Sequence, residues 1–175
     1  MTGVQTCGLP ICFPVTIPAI YKYNGGYILD EVCYQKGLSN KQIADLFQNI
    51  PKALVKADSA EPKSIDEIRA YGINILPSSK GKGSVNQGIQ FVQDQRISVT
   101  KRSVNLIKEY RNYLWQTDKD GKILNIPDIG FDHCMDAIRY GLSEYMEQKS
   151  QENVILKQLY EYRPTSDYEG SIIQR

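Results

Sequence analysis

The chain has one histidine, and its four cysteines, Cys7, Cys12, Cys33 and Cys134, include no CxxC pair. Without paired thiols at regular spacing from an imidazole, a zinc framework and a disulfide scaffold are both disfavoured. No apolar run approaches the ~18 residues needed to span a bilayer, and no basic segment followed by an apolar one marks a secretory leader. The expectation is a cytoplasmic protein with no membrane partner. Excess charge of one sign is also missing: 21 Lys and Arg against 20 Asp and Glu leave a net +1, so any affinity for nucleic acid has to come from local patches.

What is present is the composition of a folded domain, with 41% hydrophobic and 23% charged residues. At 175 residues the chain can bury one core and is short for two ordinary domains. Met1 to Ile11 resemble the conceptual translation of a sequencing-library adapter, and Pro14 and Pro18 fall where a strand is otherwise wanted. Residues 1–18 are therefore read as a non-native or damaged N-terminus, 19–150 as the domain, lacking its first strand, and 151–175 as a tail.

From Ala19 the pattern is regular. Ile20 to Tyr23 and Tyr27 to Tyr34 are aromatic and β-branched runs around Asn24-Gly25-Gly26, a hairpin signal. Ser39 with Gln42 matches a capping box opening a helix with Ile43, Leu46, Phe47 and Ile50 inward, ended by Pro51. Ala53 to Ala57 read as a buried strand that delivers Asp58 at its C-terminal end. Ser64 with Glu67 suggests a second capping box, for a helix stopped at Gly72, and Ile73 to Leu76 a further strand. Strand, helix and strand in so short a span make a βαβ unit with parallel strands.

Beyond a glycine-hinged basic loop, Lys80-Gly81-Lys82-Gly83, a helix is predicted with Ile89, Val92 and Phe91 inward. A brief strand at 97–100 and a helix over 103–114 carrying Leu106, Ile107 and Tyr110 come next. The charged segment 117–122 contains an Asp-Gly turn, and Phe131 to about Ser150 form a last helix with Ile138, Leu142 and Tyr145 as its apolar stripe. A hairpin followed by βαβ alternation argues for an α/β fold, a mixed sheet with helices packed on it. That order suits an RNase H-like fold.

Two places hold side chains suited to chemistry. Asp58 ends a buried strand, where open α/β sheets place their sites; the same residue before Ser59 and Pro62 also suits a plain turn. Asp128, Asp132, His133 and Asp136 form a cluster whose last three residues lie on or at the start of the last helix, where Asp132 and Asp136 lie one turn apart and repel unless a cation intervenes. Acids at a helix N-terminus also simply complement its dipole, a role Asp132 fits better than Asp136. Aspartates on separate elements suit magnesium, which takes oxygen ligands and keeps several waters. Lys80, Lys82, Arg96, Lys101 and Arg102 lie on or beside loops between these elements, as on any solvated surface, and the lysines of the Gly-rich loop, Lys80 and Lys82, also suit phosphate contact without base reading. Gly81 to Ser84 lack the GxxxxGK[ST] order, so no ATP site is read there.

Three stretches, Ala57 to Ile65, Lys80 to Val85 and Asp132 to Tyr140, resemble the C-terminal nuclease domain of large terminases from tailed phages and prophages. The resemblance covers roughly residues 19 to 146. It implies an RNase H-like fold and a Mg2+- or Mn2+-dependent endonuclease, with two metals in the intact domain, that cuts concatemeric double-stranded DNA. It also implies that Asp58 and Asp136 bind metal and catalyse and that His133 assists, with Asp132 as an auxiliary and Lys80 and Lys82 as DNA contacts. Implied partners are an upstream ATPase domain, the small terminase subunit and the portal, in the cytoplasm of a bacterial host. In the family a further catalytic aspartate lies on a strand just before the hairpin, and nothing from Cys12 to Pro18 matches it. The chain is therefore expected to be an impaired fragment. The alternatives are another RNase H-like nuclease, such as a junction resolvase, or a non-catalytic DNA-binding or docking module.

Overall fold

The computed structural model describes residues 3–7, 14–78, 84–128 and 130–161. A long hairpin forms its centre: β2 (Val15–Tyr23) runs antiparallel to β3 (Gly26–Gln35). Asn24 and Gly25 both have positive φ, 47° and 70°, the pair of left-handed residues that a two-residue hairpin turn of matching twist requires. Strand β2 begins earlier than the predicted Ala19 and runs through Pro18. The pairing shifts register between Ile17 and Pro18, and a bulge is where a strand tolerates a residue without an N–H.

Helix α1 (Asn40–Gln48) opens on the expected capping box, Ser39 with Gln42, and ends before Pro51 at the Asn49 cap. Strand β4 (Leu54–Ala57), helix α2 (Pro62–Ala70) and strand β5 (Ile75–Pro77) make the βαβ unit, with β4 and β5 parallel. The predicted Ser64 box does not form: α2 starts at Pro62, two residues earlier, with Glu61 in the capping position and no side-chain cap. Proline at a first helical position has its φ already set and no N–H to leave unsatisfied. Gly72, at φ 84°, ends that helix as expected.

Helix α3 (Ser84–Gln93) leads to β6 (Ile97–Val99), which pairs parallel with β3. Helix α4 (Val104–Asn112) follows, then a separate hairpin of β7 (Trp115–Thr117) and β8 (Ile123–Pro127). Helix α5 (His133–Glu161) is 29 residues long and continues through residues 151–161, which were expected to lie in a tail. Glu, Gln, Lys and Leu dominate that stretch, and all favour helix. Among the described residues no helix is long and apolar enough to cross a membrane.

The main sheet has the order β5-β4-β1-β2-β3-β6, where β1 is Gly3–Cys7. Strand β1 pairs antiparallel with β2, from Gly3 opposite Tyr21, and parallel with β4, up to Cys7 opposite Ala57. Residues read as alien to the fold thus fill the strand position just before the hairpin. The gap between β2 and β4 exposes two rows of unpaired backbone groups, which an extended segment of any origin satisfies, and Val4 and Thr6 favour strand. Gly3 to Cys7 include no carboxylate.

Helices cover both faces. On one, α1 and α2 pack Ile43, Ala44, Phe47, Ile65 and Ile68 against Val15, Ile17, Val55 and Ala57. On the other, α4 and α5 pack Leu106, Cys134, Ile138 and Leu142 against Ile20, Tyr27 and Leu29. The apolar stripe predicted for the last helix is borne out by Ile138 and Leu142, 2% and 0% exposed, with Tyr145 packed at the margin. Tyr110 is corrected. It is 71% exposed, while its neighbour Glu109 is 2% exposed.

Candidate active site

Strand alternation decides where Asp58 stands. Val55 and Ala57 point into the α1–α2 core, so Lys56 and Asp58 belong to the opposite face, where Lys56 pairs with Glu144 of α5 at 2.7 Å. Asp58 follows the last residue of β4 and serves a turn as well: its Oδ1 accepts from the Ala60 amide at 2.9 Å. Its Oδ2 accepts from the Tyr140 hydroxyl at 3.3 Å. Tyr140 lies one turn beyond Asp136 on α5, so that helix joins the two aspartates although they are far apart in sequence.

Asp136 sits in the first turn of α5, its amide bonded to the Asp132 carbonyl. Its Oδ1 accepts from Arg139 Nη2 at 2.8 Å. Burial works against the charge on Arg139, but the ion pair with Asp136 outweighs it and holds the guanidinium firmly protonated. Burial first, and then Asp136 and Asp58, push the Tyr140 hydroxyl above its ordinary range. Tyr113 is pushed up to about 12 by burial, then by Asp136 and Asp132. Both phenols therefore stay protonated near neutral pH, Tyr140 as the donor to Asp58.

His133 begins α5. Its Nδ1 lies 3.5 Å from Asp132 Oδ1, and its carbonyl accepts from Thr16 Oγ1 at 3.2 Å. Asp132, His133 and Asp136 thus share one helix start, on the helix whose Tyr140 reaches Asp58. Asp128 is on another element: it is exposed beyond β8, its amide bonded to the Leu114 carbonyl. Lys80 and Lys82 lie outside the described residues. Arg102 is an ion-pair partner of Asp30.

Sequence reading missed the supports of this site. Buried Glu109 receives the Cys134 amide at 2.5 Å on one oxygen and the Tyr34 hydroxyl at 2.9 Å on the other, placing a carboxylate at the N-terminus of α5. Glu31 does the same for α4, accepting from the Leu106 amide and from Asn105 Nδ2, both at 2.7 Å. A chain of carboxylate caps so ties β3 to α4 and α4 to the helix bearing Asp136. The signal that could have found them is helical spacing, which from Asp136 points to Arg139 and Tyr140 and from Leu106 to Glu109.

Two oxygen-bearing residues from separate elements suit one hard cation. Among the described residues no group of three or more His, Cys, Asp or Glu is placed to hold a metal ion.

Comparison with known proteins agrees with this architecture. The family model described as Terminase RNAseH like domain matches residues 15–144. The terminase large subunit of Bacillus phage SPP1 is 33% identical over 128 residues, 70% of this chain and 30% of that protein. The PBSX phage terminase large subunit of Bacillus subtilis (strain 168) is 30% identical over 115 residues, 64% of this chain and 27% of that protein. The chain thus spans less than a third of either relative. Among solved structures, the g2p (large terminase) nuclease domain of bacteriophage SPP1, with bound Mn, superposes with a TM-score of 0.73 at 25% identity, covering 82% of this chain and 86% of that one. The P22 large terminase nuclease domain shares the fold at a TM-score of 0.63 and 15% identity, covering 85% and 81%. With its mixed sheet, its helices on both faces and a family match across most of its length, the chain belongs to the terminase RNase H-like domain family.

Proposed function

We propose that this chain is the nuclease domain of a phage DNA-packaging terminase, a divalent-metal-dependent endonuclease for double-stranded DNA, in a form with impaired cleavage. The observation that carries the reading is the hydrogen bond from Tyr140 to Asp58, 82 residues apart in sequence, which links Asp58 to the helix that carries Asp136. Hard oxygen donors on β4 and α5 fit one Mg2+ or Mn2+ with water in the remaining positions, and the SPP1 domain was solved with Mn. They do not fit a second ion, since no third carboxylate joins them among the described residues.

The roles divide by geometry. When bound, the metal supplies Lewis-acid activation of water and charge stabilisation at the scissile phosphate. Asp58 and Asp136 hold it. His133, half-buried beside Asp132, is placed to take or give a proton, and Asp132 keeps the imidazole oriented. DNA is held by its phosphates, with Lys80 and Lys82 as the proposed contacts. In the intact protein the same reading puts an ATPase domain upstream and the small subunit and portal alongside, in the host cytoplasm.

The test is metal binding. Mn2+ titration followed by the paramagnetic signal of the free ion should show one site per chain, weakened at least tenfold by Asp58→Asn and by Asp136→Asn in proteins that melt as the parent does. Binding that survives both substitutions overturns the assignment.

A further inference from the structure

The residues that touch the two aspartates differ in what they do to a cation. Tyr140 offers Asp58 a neutral hydroxyl; Arg139 offers Asp136 a full positive charge at 2.8 Å. Nor is Arg139 a loose surface group. Its side chain is only 11% exposed, and its guanidinium carbon lies 4.9 Å from the centroid of the Tyr140 ring. Its stem passes Gly88 of α3 so closely that a Cβ there would stand 2.6 Å from Arg139 Cγ and 2.7 Å from Cδ. Arg139 Nε has no hydrogen-bond partner among the described residues. Helix α3 therefore gives up a side chain, and a guanidinium nitrogen gives up its bond to water, for a cation that leans on Asp136. An i,i+3 pair on an open helix surface needs none of this and contributes only a few tenths of a kcal/mol.

We propose that Arg139 is a built-in counter-ion of the metal site, which neutralises Asp136 in the metal-free protein and competes with the divalent cation for that carboxylate. The proposal rests on the reading of Asp58 and Asp136 as the metal-holding pair. A divalent ion approaching Asp136 must displace the N–H donor from Oδ1 or bear the repulsion of a cation one hydrogen bond away. Arg139 cannot relieve that repulsion by losing its proton, and the contact with Gly88 limits how far its stem swings aside. The guanidinium thus keeps the site weakly loaded and stops the carboxylate from repelling Asp58 and Asp132 when no metal is there.

The magnitude follows from what a neighbouring cation does to a carboxylate. An opposite charge within ~4–6 Å changes its affinity for a proton by about 1–3 pK units, and a divalent ion feels the same competitor at least as strongly. Arg139→Met should therefore tighten Mn2+ binding about tenfold or more. Arg139→Lys, which keeps the charge, should change it little. Gly88→Ala, which pushes the Arg139 stem off its seat without touching a carboxylate, should tighten it in the same direction.

The experiment is Mn2+ titration of the full chain and these variants, read from the signal of free Mn2+ at fixed pH and salt, with thermal melts alongside. Tighter binding by Arg139→Met and by Gly88→Ala, with Arg139→Lys near the parent, supports the counter-ion. Binding by Arg139→Met equal to or weaker than the parent, while Asp136→Asn still abolishes it, overturns the counter-ion and leaves the metal site standing. Loss of metal dependence on Asp58 and Asp136 altogether overturns the site and the counter-ion together. If Arg139→Met does not fold, Gly88→Ala and Arg139→Lys decide between the same outcomes.

Discussion

The two faces of the sheet are built from the same strands and do different work. Under α1 and α2 the buried cluster is aliphatic except for Phe47, with Ile17, Ile43, Ala44, Ala57, Ile68 and Ile75 at most 1% exposed. Under α4 and α5 the sheet meets polar and charged groups: Glu109 against the start of α5, Lys56 against Glu144, Tyr140 against Asp58 and Arg139 against Asp136. Alternation along β4 sends Val55 and Ala57 to the first face and Lys56 and Asp58 to the second. An apolar face gains stability from area alone. A face carrying buried polar groups is stable only if each finds a partner, so its geometry is fixed more narrowly. The first face anchors, and the second aims side chains.

The sharpest way to test the second face is to complete it. Gly3 to Cys7 occupy the strand next to β4 without a carboxylate, so the chain as it stands should cut plasmid DNA poorly with Mg2+ or Mn2+. Replacing that strand with one of equal length bearing an aspartate on the face shared with Asp58 should raise the rate. Loss of one well-placed electrostatic group commonly costs about 10²- to 10³-fold in rate, and the gain should be of that order. Equal cutting by both forms would mean that the strand carboxylate is dispensable.

Stability and metal binding should separate between the faces. Ile68→Ala, at a fully buried position of α2, should cost about 2–5 kcal/mol in chemical denaturation while leaving Mn2+ affinity of the folded protein unchanged. Glu109→Ala removes the acceptor of the Cys134 amide and the Tyr34 hydroxyl. At ~1–3 kcal/mol per buried group left unsatisfied, the loss of stability should be similar, but here Mn2+ affinity should fall as well, because the first turn of α5 loses its cap. Equal effects on metal binding from both variants would erase the distinction between an anchoring and an aiming face.

Much of this was legible in the sequence, for physical reasons that differ by element. The hairpin, the Ser39 capping box and the β4–α2–β5 unit are local, since turn chemistry, cap and periodicity all lie within a few residues. Asp58 and Asp136 could be singled out by position and by resemblance. What escaped depends on contacts across the fold. In α4 the apolar residues Leu106, Ile107 and Tyr110 suggested one face; Leu106 is buried as expected, but Tyr110 is exposed and Glu109 is buried, because Tyr34 and the amide of Cys134 supply Glu109 with partners that no local pattern shows. Filling of the strand position by β1 was equally hidden: an unpaired gap between β2 and β4 draws in backbone, whatever its side chains. The start of α2 was misread because Ser64 matched a motif while Pro62, two residues earlier, already had the geometry to begin a helix.

The smallest expected effect lies at the junction of β3 with α4, where Asp30 accepts from Thr100 at 2.7 Å and pairs with Arg102. The Arg102 guanidinium holds the Asp30 carboxyl below the usual carboxylate range; burial opposes that shift, and the Thr100 hydroxyl adds to it. A folded value lowered beneath the unfolded one contributes stability that is fully present above the unfolded value, about 4 for aspartate. That stability is lost as pH falls through the lower, folded value. The contribution is modest because Arg102 is 70% exposed and water screens the pair. Denaturation midpoints measured from pH 6 down to pH 2 should therefore fall below about pH 4, and Asp30→Asn should flatten part of that fall while lowering stability slightly at pH 6. Parallel curves for parent and variant across the acid range would mean that the aspartate gains nothing from Arg102 on folding.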